Sequence, residues 1–429
     1  MAAPLPICSF LRGRTWLLWG LLWALGSGLV QAQPARPRFQ LRHSRAAAVR
    51  LHFELQRNLI VLPVRLNGRG PYYFMLDTGV GTSLITDARL RDSLNLTLGQ
   101  RYLVAGAGEE APLVAFQTDS VRVDLGAEAG KIVAPSLSLL LLSDDVFDLS
   151  RYVGRPIHGI LGADVFRSFA VEVLTEDQVL VFHRPERFRA PRGRRWVGLP
   201  LEIEGDKSYI HTQVAVNDSV QLPLRLVLDT GAGHALSIET GSDRRLTVPP
   251  RRLRTHLGRG LSGDIHGYLG RVTGMQLGQY YVKAPVTSFP DEAAVRARAD
   301  APRNGNLGFE LLKRFSVVID YPHNRLWLKP NKLFRDPFEH DMCGIDLLAG
   351  GPEYRRYTIQ RVEPGSPAAL ANLQAQDELL SINLVSVSSM SLTQITRLLH
   401  SADGKQLIIF VRRADGDLFV TRLTLKRQI

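Results

Sequence analysis

Tyr73-Phe74-Met75-Leu76-Asp77-Thr78-Gly79-Val80-Gly81-Thr82-Ser83-Leu84-Ile85 is echoed by Arg225-Leu226-Val227-Leu228-Asp229-Thr230-Gly231-Ala232-Gly233-His234-Ala235-Leu236-Ser237, 152 positions further on. Each copy carries an apolar run into Asp-Thr-Gly. That pattern takes a carboxylate from a buried strand into a tight turn, with glycine permitting the reversal. A second pair follows in the same order. Gly159-Ile160-Leu161-Gly162-Ala163-Asp164-Val165-Phe166 answers to Gly305-Asn306-Leu307-Gly308-Phe309-Glu310-Leu311-Leu312, at an offset of 146. Two motifs recurring at nearly one spacing mean that about 140 residues are duplicated.

Within each copy the pattern is β. Ser120–Leu125 and Tyr209–Val216 alternate apolar and polar residues, and Asn67-Gly68 and Asn217-Asp218 supply turns between such runs. One short helix per copy is expected, after Gly162 and after Gly308. The reading is therefore two β lobes, 50–185 and 196–332, joined by an exposed Arg/Pro-rich linker at 186–195. A basic tail, 33–49, precedes them.

Composition bounds the rest. The 429 residues exceed one core, and their 45% hydrophobic and 22% charged content is that of globular protein. The net charge of +12 invites a nucleic-acid reading, but no nucleic-acid motif appears and the arginines scatter over linker and tail. Two cysteines rule out a disulfide framework or thiolate-rich zinc site, and no His-x-x-x-His spacing favours a metal. No cofactor is expected. Residues 1–32 read as a secretory signal peptide: Arg12 and Arg14, an apolar stretch, then Val30-Gln31-Ala32 before a cut. The 16 residues from Thr15 to Val30 fall short of the ~20 that span a bilayer. The chain is expected to be exported, periplasmic or secreted. The alternative is an uncleaved inner-membrane anchor. Cleavage leaves Cys343 alone, so no intrachain disulfide is possible.

Two equivalent carboxylates brought together at a lobe interface cannot both ionise cheaply, so they share a proton. The ionised member can take a proton from water as it attacks a carbonyl. Its protonated partner can donate to the carbonyl oxygen, and the leaving nitrogen is protonated later. Thr78 and Thr230 are placed to bond across the interface and fix the carboxylate planes.

These paired motifs resemble the pepsin/retropepsin superfamily of aspartic peptidases over residues 50–332, in a bacterial form with an appended module. The resemblance implies an all-β bilobal fold of two duplicated acid-protease barrels, with Asp77 and Asp229 catalytic. Thr78, Gly79, Thr230 and Gly231 would support them, with both lobes in one chain making a monomeric catalytic unit. Val80 and Ala232 stand where pepsin-like enzymes usually carry a hydroxyl. A hydrogen bond favouring the anion is thereby lost, so the expected optimum is mildly acidic to neutral. The flaps are expected in the glycine-bearing segments 103–110 (Gly106, Gly108) and 257–267 (Gly260, Gly263), as mobile lids over an extended polypeptide.

After Pro330 the composition shifts. Arg356–Val362 alternates like a strand, Gly365-Ser366-Pro367-Ala368 and Asp377-Glu378-Leu379-Leu380-Ser381-Ile382-Asn383 follow, then a helix at 393–399 and strands at 406–413 and 418–425. Residues 341–429 resemble a PDZ domain of the permuted bacterial kind, an α+β module. The resemblance implies that Cys343-Gly344-Ile345 captures a peptide C-terminus through backbone N–H groups. Asn372 and Gln376 stand where glycines are common. The leading expectation is an aspartic endopeptidase with a peptide-binding PDZ module. A non-catalytic envelope protein, holding peptides in the groove and the PDZ domain, is the open alternative.

Overall fold

In the computed structural model, the apolar run before each Asp-Thr-Gly is the inner strand of a long hairpin. Arg69–Leu76 pairs antiparallel with Leu59–Leu66, and Gln221–Asp229 with Lys207–Ala215. The structure describes residues 39–429 except 44, 128–129, 144–147 and 297–301. The proposed leader and the start of the tail lie outside the described residues.

Both inner strands receive a parallel neighbour from the second motif. Gly159–Leu161 lies beside Phe74–Leu76, and Gly305–Gly308 beside Leu226–Asp229. Each of these short strands is flanked on its other side by an antiparallel one, Leu84–Ile85 or Leu236–Ile238. An 11-stranded sheet and a 10-stranded sheet thus share one pairing pattern. Parallel strands buried on both faces read as continuous apolar runs, which is how these motifs look in the sequence. The expected helices are there, Ala163–Phe166 and Phe309–Leu312. Among the described residues of the two halves, three further short α-helices, Leu90–Ser93, Leu149–Val153 and Glu292–Arg296, carry too little periodicity to show in the sequence.

A third sheet takes strands from both halves, in the order Val197–Pro200, Arg325–Pro330, Phe315–Asp320, Ala170–Leu174, Val179–His183, Ala48–His52. At its centre Val171 faces Ile319 and Val173 faces Val317. One core cluster runs through both halves, with Phe74, Leu161 and Phe182 from the first and Leu228, Leu307 and Phe315 from the second.

The N-terminal boundary needs correcting. Residues 33–49 were expected as a tail, yet Phe39 and Leu41 are 3% and 5% exposed and Gln40–Leu41 joins the first sheet. The Phe-Gln-Leu alternation is a minimal strand, hidden by the arginines around it.

The C-terminal unit has its own core, built on Leu347, Tyr357, Ile395 and Leu407. Its strands run in the order Ile345–Gly350, Arg356–Val362, Glu378–Ile382, Gln406–Arg412, Leu418–Thr424. Helix Leu392–Leu399 begins with a capping box, Ser391 and Gln394 bonding reciprocally.

Candidate active site

Asp77 and Asp229 meet where the two hairpins end. The loops are tied by a reciprocal exchange. Thr78 N–H donates to Thr230 Oγ1 and Thr230 N–H to Thr78 Oγ1, both at 3.0 Å. Each hydroxyl then donates back to a strand carbonyl of the opposite half, Thr78 to Leu228 O (2.6 Å) and Thr230 to Leu76 O (2.9 Å). Both threonines are buried, so no water competes for these bonds.

The carboxylates sit just above this lattice. Gly79 N–H donates to Asp77 Oδ1 at 2.7 Å, and Gly231 N–H reaches Asp229 Oδ1 at 3.1 Å and Asp77 Oδ1 at 3.2 Å. Glycine is required by the close approach: a Cβ on residue 231 would fall 2.1 Å from Asp77 Cγ. Burial, then the neighbouring Asp229 carboxylate, pushes the Asp77 carboxyl well above the ordinary aspartate range, outweighing the two backbone N–H groups that favour its anion. The pair is therefore built to hold one proton near neutrality.

A side-chain contact to the carboxylates also differs between the halves. Asn306 Nδ2 donates to Asp229 Oδ2 at 2.7 Å. The equivalent position in the first half is Ile160, which has nothing to donate. Asn306 is 8% exposed, and its Oδ1 has no partner. Asn306 is not among the residues that the repeat marks. The signal was visible, a polar residue in one copy of an otherwise apolar triplet.

The carbonyls of Val80 and Ala232 accept from Ala163 N–H (2.9 Å) and Phe309 N–H (2.8 Å), so each short helix supports the loop beside its aspartate. His234 takes part through its backbone, its carbonyl accepting from Glu310 N–H at 3.2 Å.

The two segments expected as flaps touch each other. Strands Leu98–Val104 and Leu113–Thr118 form one hairpin, Leu253–Gly260 and Gly263–Arg271 the other. Gly106 N–H donates to Ser262 Oγ (3.1 Å), Ser262 N–H to Ala107 O (2.7 Å) and Glu110 N–H to Ser262 O (2.6 Å). Gly108 has φ +123° and lies against the Ser262 carbonyl, where a Cβ would come within 2.0 Å. Gly260 packs on Ala107, and Gly263 packs on Glu110. Leu261, at the second tip, packs against an apolar cluster of the first half built on Leu59, Met75 and Leu84, which Tyr73 and Val80 also flank.

The third group of expected residues lies apart from the aspartates, in the C-terminal unit. Cys343 is fully buried, and burial raises its thiol well above the ordinary range. Its N–H donates to Asp341 Oδ1 at 3.1 Å, and Gly344 N–H donates to Asp341 Oδ2 at 2.5 Å. The loop expected to capture a foreign carboxylate already holds one of its own. Ile345 opens the strand that follows. Among the described residues no group of three His, Cys, Asp or Glu side chains is placed to hold a metal.

A buried Asp77 and a half-buried Asp229 thus meet between two Asp-Thr-Gly loops of a mostly β framework, and a separate α+β unit follows them in the chain. Residues 62–165 match the family model "Aspartyl protease", and residues 358–413 match "PDZ domain". The chain carries an aspartyl-protease domain with a C-terminal PDZ domain. The first match includes Asp77; Asp229 lies beyond it. Among curated proteins, the mouse (Mus musculus) Na(+)/H(+) exchange regulatory cofactor NHE-RF2 is 36% identical over 78 residues, 18% of this chain and 23% of that protein. The chain thus spans about a quarter of the curated relative it matches. Among solved structures, a photosystem II D1 C-terminal processing protease is 21% identical over 20% of this chain and 22% of its own, at a TM-score of 0.18. Basic 7S globulin from soybean is 10% identical over 67% of this chain and 95% of its own, at a TM-score of 0.38. At such scores neither structure bears on the fold.

Proposed function

We propose that the chain is an aspartic endopeptidase with pepsin-like bilobal architecture, hydrolysing extended polypeptide through the Asp77–Asp229 pair. The observation that carries this reading is the reciprocal Thr78–Thr230 lattice, beside which the Asp77 and Asp229 carboxylates lie next to one another. A pair sharing one proton has a base and an acid at once. The anionic member draws a proton from an attacking water, and the protonated member donates to the carbonyl oxygen. Burial and the neighbouring carboxylate raise the Asp77 carboxyl, so the shared proton rests on Asp77. Collapse of the tetrahedral species then returns a proton to the departing nitrogen. The flap tips close over the substrate, and the apolar cluster around Leu261 and Val80 suits an apolar side chain next to the cleaved bond. Both halves lie in one chain, so the catalytic unit is a monomer. The leader at 1–32 directs it out of the cytoplasm.

The test is mass spectrometry of the products from an unfolded protein incubated with residues 33–429. Discrete internal cuts are expected from the parent chain. Asp77→Asn and Asp229→Asn should each lose at least about a thousandfold in rate while keeping the parent's circular dichroism. Undiminished cleavage by either folded variant would falsify the assignment.

A further inference from the structure

The strand Ile345–Gly350 is an edge of the PDZ sheet. On an edge strand, residues two apart point their free carbonyls the same way, and an added peptide strand pairs with those groups. Here both are taken. Leu347 O accepts from Arg57 Nη1 at 3.4 Å, and Ala349 O from Arg151 Nε at 3.3 Å. Arg57 and Arg151 belong to the protease domain.

The helix across the groove is engaged by the same surface. Arg57 N–H donates to Thr393 Oγ1 at 3.3 Å, and Thr393 Oγ1–H to Gln56 Oε1 at 2.7 Å. Gly154 fills the space between helix and strand, its Cβ position lying 2.9 Å from Leu392 Cβ and 3.7 Å from Ala349 Cβ. At the end of the groove, the N–H groups of Cys343 and Gly344 are satisfied by Asp341. The small cavity there is lined by Asp341, Asp346 and Glu363 together with His256 and His340, so three carboxyl groups of the chain already occupy the place of an incoming one.

We propose that the PDZ groove is an internal interface. Its occupant is the protease domain's own Gln56–Asn58 turn and the end of its Leu149–Val153 helix, and a peptide with a free C-terminus enters only by displacing them. The occupied groove braces two parts of the protease domain. Asn58 Nδ2 donates to Gly233 O at 3.0 Å, in the loop that follows Asp229. On the flap side, Thr255 Oγ1–H donates to Glu363 Oε1 at 3.0 Å, and His256 faces Asp346 at 3.5 Å. Displacement would therefore loosen both the Asp229 loop and one flap. That effect on turnover rests on the peptidase reading; occupancy of the groove does not.

Two cysteine pairs in the full chain test occupancy without any activity measurement. Gly154→Cys with Ala349→Cys sets Cβ atoms 3.7 Å apart, inside the roughly 3.5–4.5 Å of a disulfide. Because residue 154 has φ +82°, a second pair avoids it: Gln56→Cys with Thr393→Cys, joined by a short bis-maleimide. Each is expected to cross-link in most molecules under mild conditions, with a rate at least about tenfold lower when Arg57→Ala and Arg151→Ala are added. Failure of both pairs in folded protein overturns the occupancy. A mixture of decapeptides randomised at the last four positions, with free C-terminal carboxylates, should slow cross-linking at least about threefold at millimolar concentration. The amidated mixture should not. An unchanged rate with the free acids, or equal slowing by the amides, overturns displacement by a C-terminus.

Discussion

Asn306 shows how one side chain breaks the symmetry that a duplication imposes. Its amide donates 2.7 Å to Asp229 Oδ2, while Ile160 offers the first half nothing equivalent. A hydrogen bond to a charged group contributes about 1.5–3 kcal/mol, and one pH unit corresponds to about 1.4 kcal/mol. Asn306→Leu removes the donor and keeps the volume. The sign follows from which form of the pair is stabilised. The donor favours the singly ionised pair over the doubly protonated one, so its loss makes the second proton easier to add. The acidic limb of the kcat/KM profile should move up by roughly one pH unit, with kcat falling at least about tenfold. Asn306→Asp adds a third carboxyl, and should move the limb further in the same direction. An unshifted acidic limb in Asn306→Leu would mean that the amide only packs. Of the site, Asp77, Thr78, Asp229 and Thr230 were legible because repetition marks them. Asn306 was not, because repetition draws the eye to what matches rather than to what differs.

At the scale of elements, turns were the hardest to read. Asn372 and Gln376 replace expected glycines, and both adopt left-handed backbone, φ +58° and φ +74°. The turns keep the glycine geometry without the glycine. Asparagine tolerates this because its short side chain bonds locally, whereas glutamine meets the general left-handed cost of about 1–2 kcal/mol. Gln376→Gly relieves that strain and adds about 0.4–1 kcal/mol of unfolded-state entropy to be lost on folding. The net expectation is a gain of up to about 1.5 kcal/mol, read as a higher midpoint in urea at unchanged slope. A lower midpoint would show that glutamine's side chain compensates. Strands such as Tyr209–Val216 and Val179–Phe182 were legible from alternation or β-branched runs. The Gln40–Leu41 strand and the Leu149–Val153 helix were not, since two to five residues carry no period. The filled PDZ groove was also invisible beforehand. Arg57 and Arg151 lie about 290 and 200 positions from the carbonyls they cap, and no local pattern links them.

For the whole molecule, the six-stranded shared sheet makes the halves inseparable in a way that the linker does not. Strand Ala170–Leu174 pairs with Phe315–Asp320 from Ala170 opposite Asp320 to Val173 opposite Val317, and each lies inside a sheet rather than at an edge. Phe166 of the first half packs against Tyr321 of the second, the rings tilted by 31° with centroids 5.5 Å apart, and the buried threonine lattice closes the other side. Arg189, Ala190 and Arg192 of the linker are exposed. A cut there adds the cost of association, about 4–15 kcal/mol at a molar standard state. Against it stand a continuous core and a shared sheet, whose separation would bare two long apolar strand edges to water. A specific protease site inserted between Ala190 and Pro191 tests which side prevails. After cleavage, the two fragments should elute together at the mass of the uncut chain and separate only in denaturant. Turnover of an unfolded substrate, where the parent shows it, should stay within about twofold of the uncut value, because the pair of aspartates is held by the sheet and the threonines. Fragments that part in native buffer would show that the linker, rather than the shared sheet, holds the dyad together.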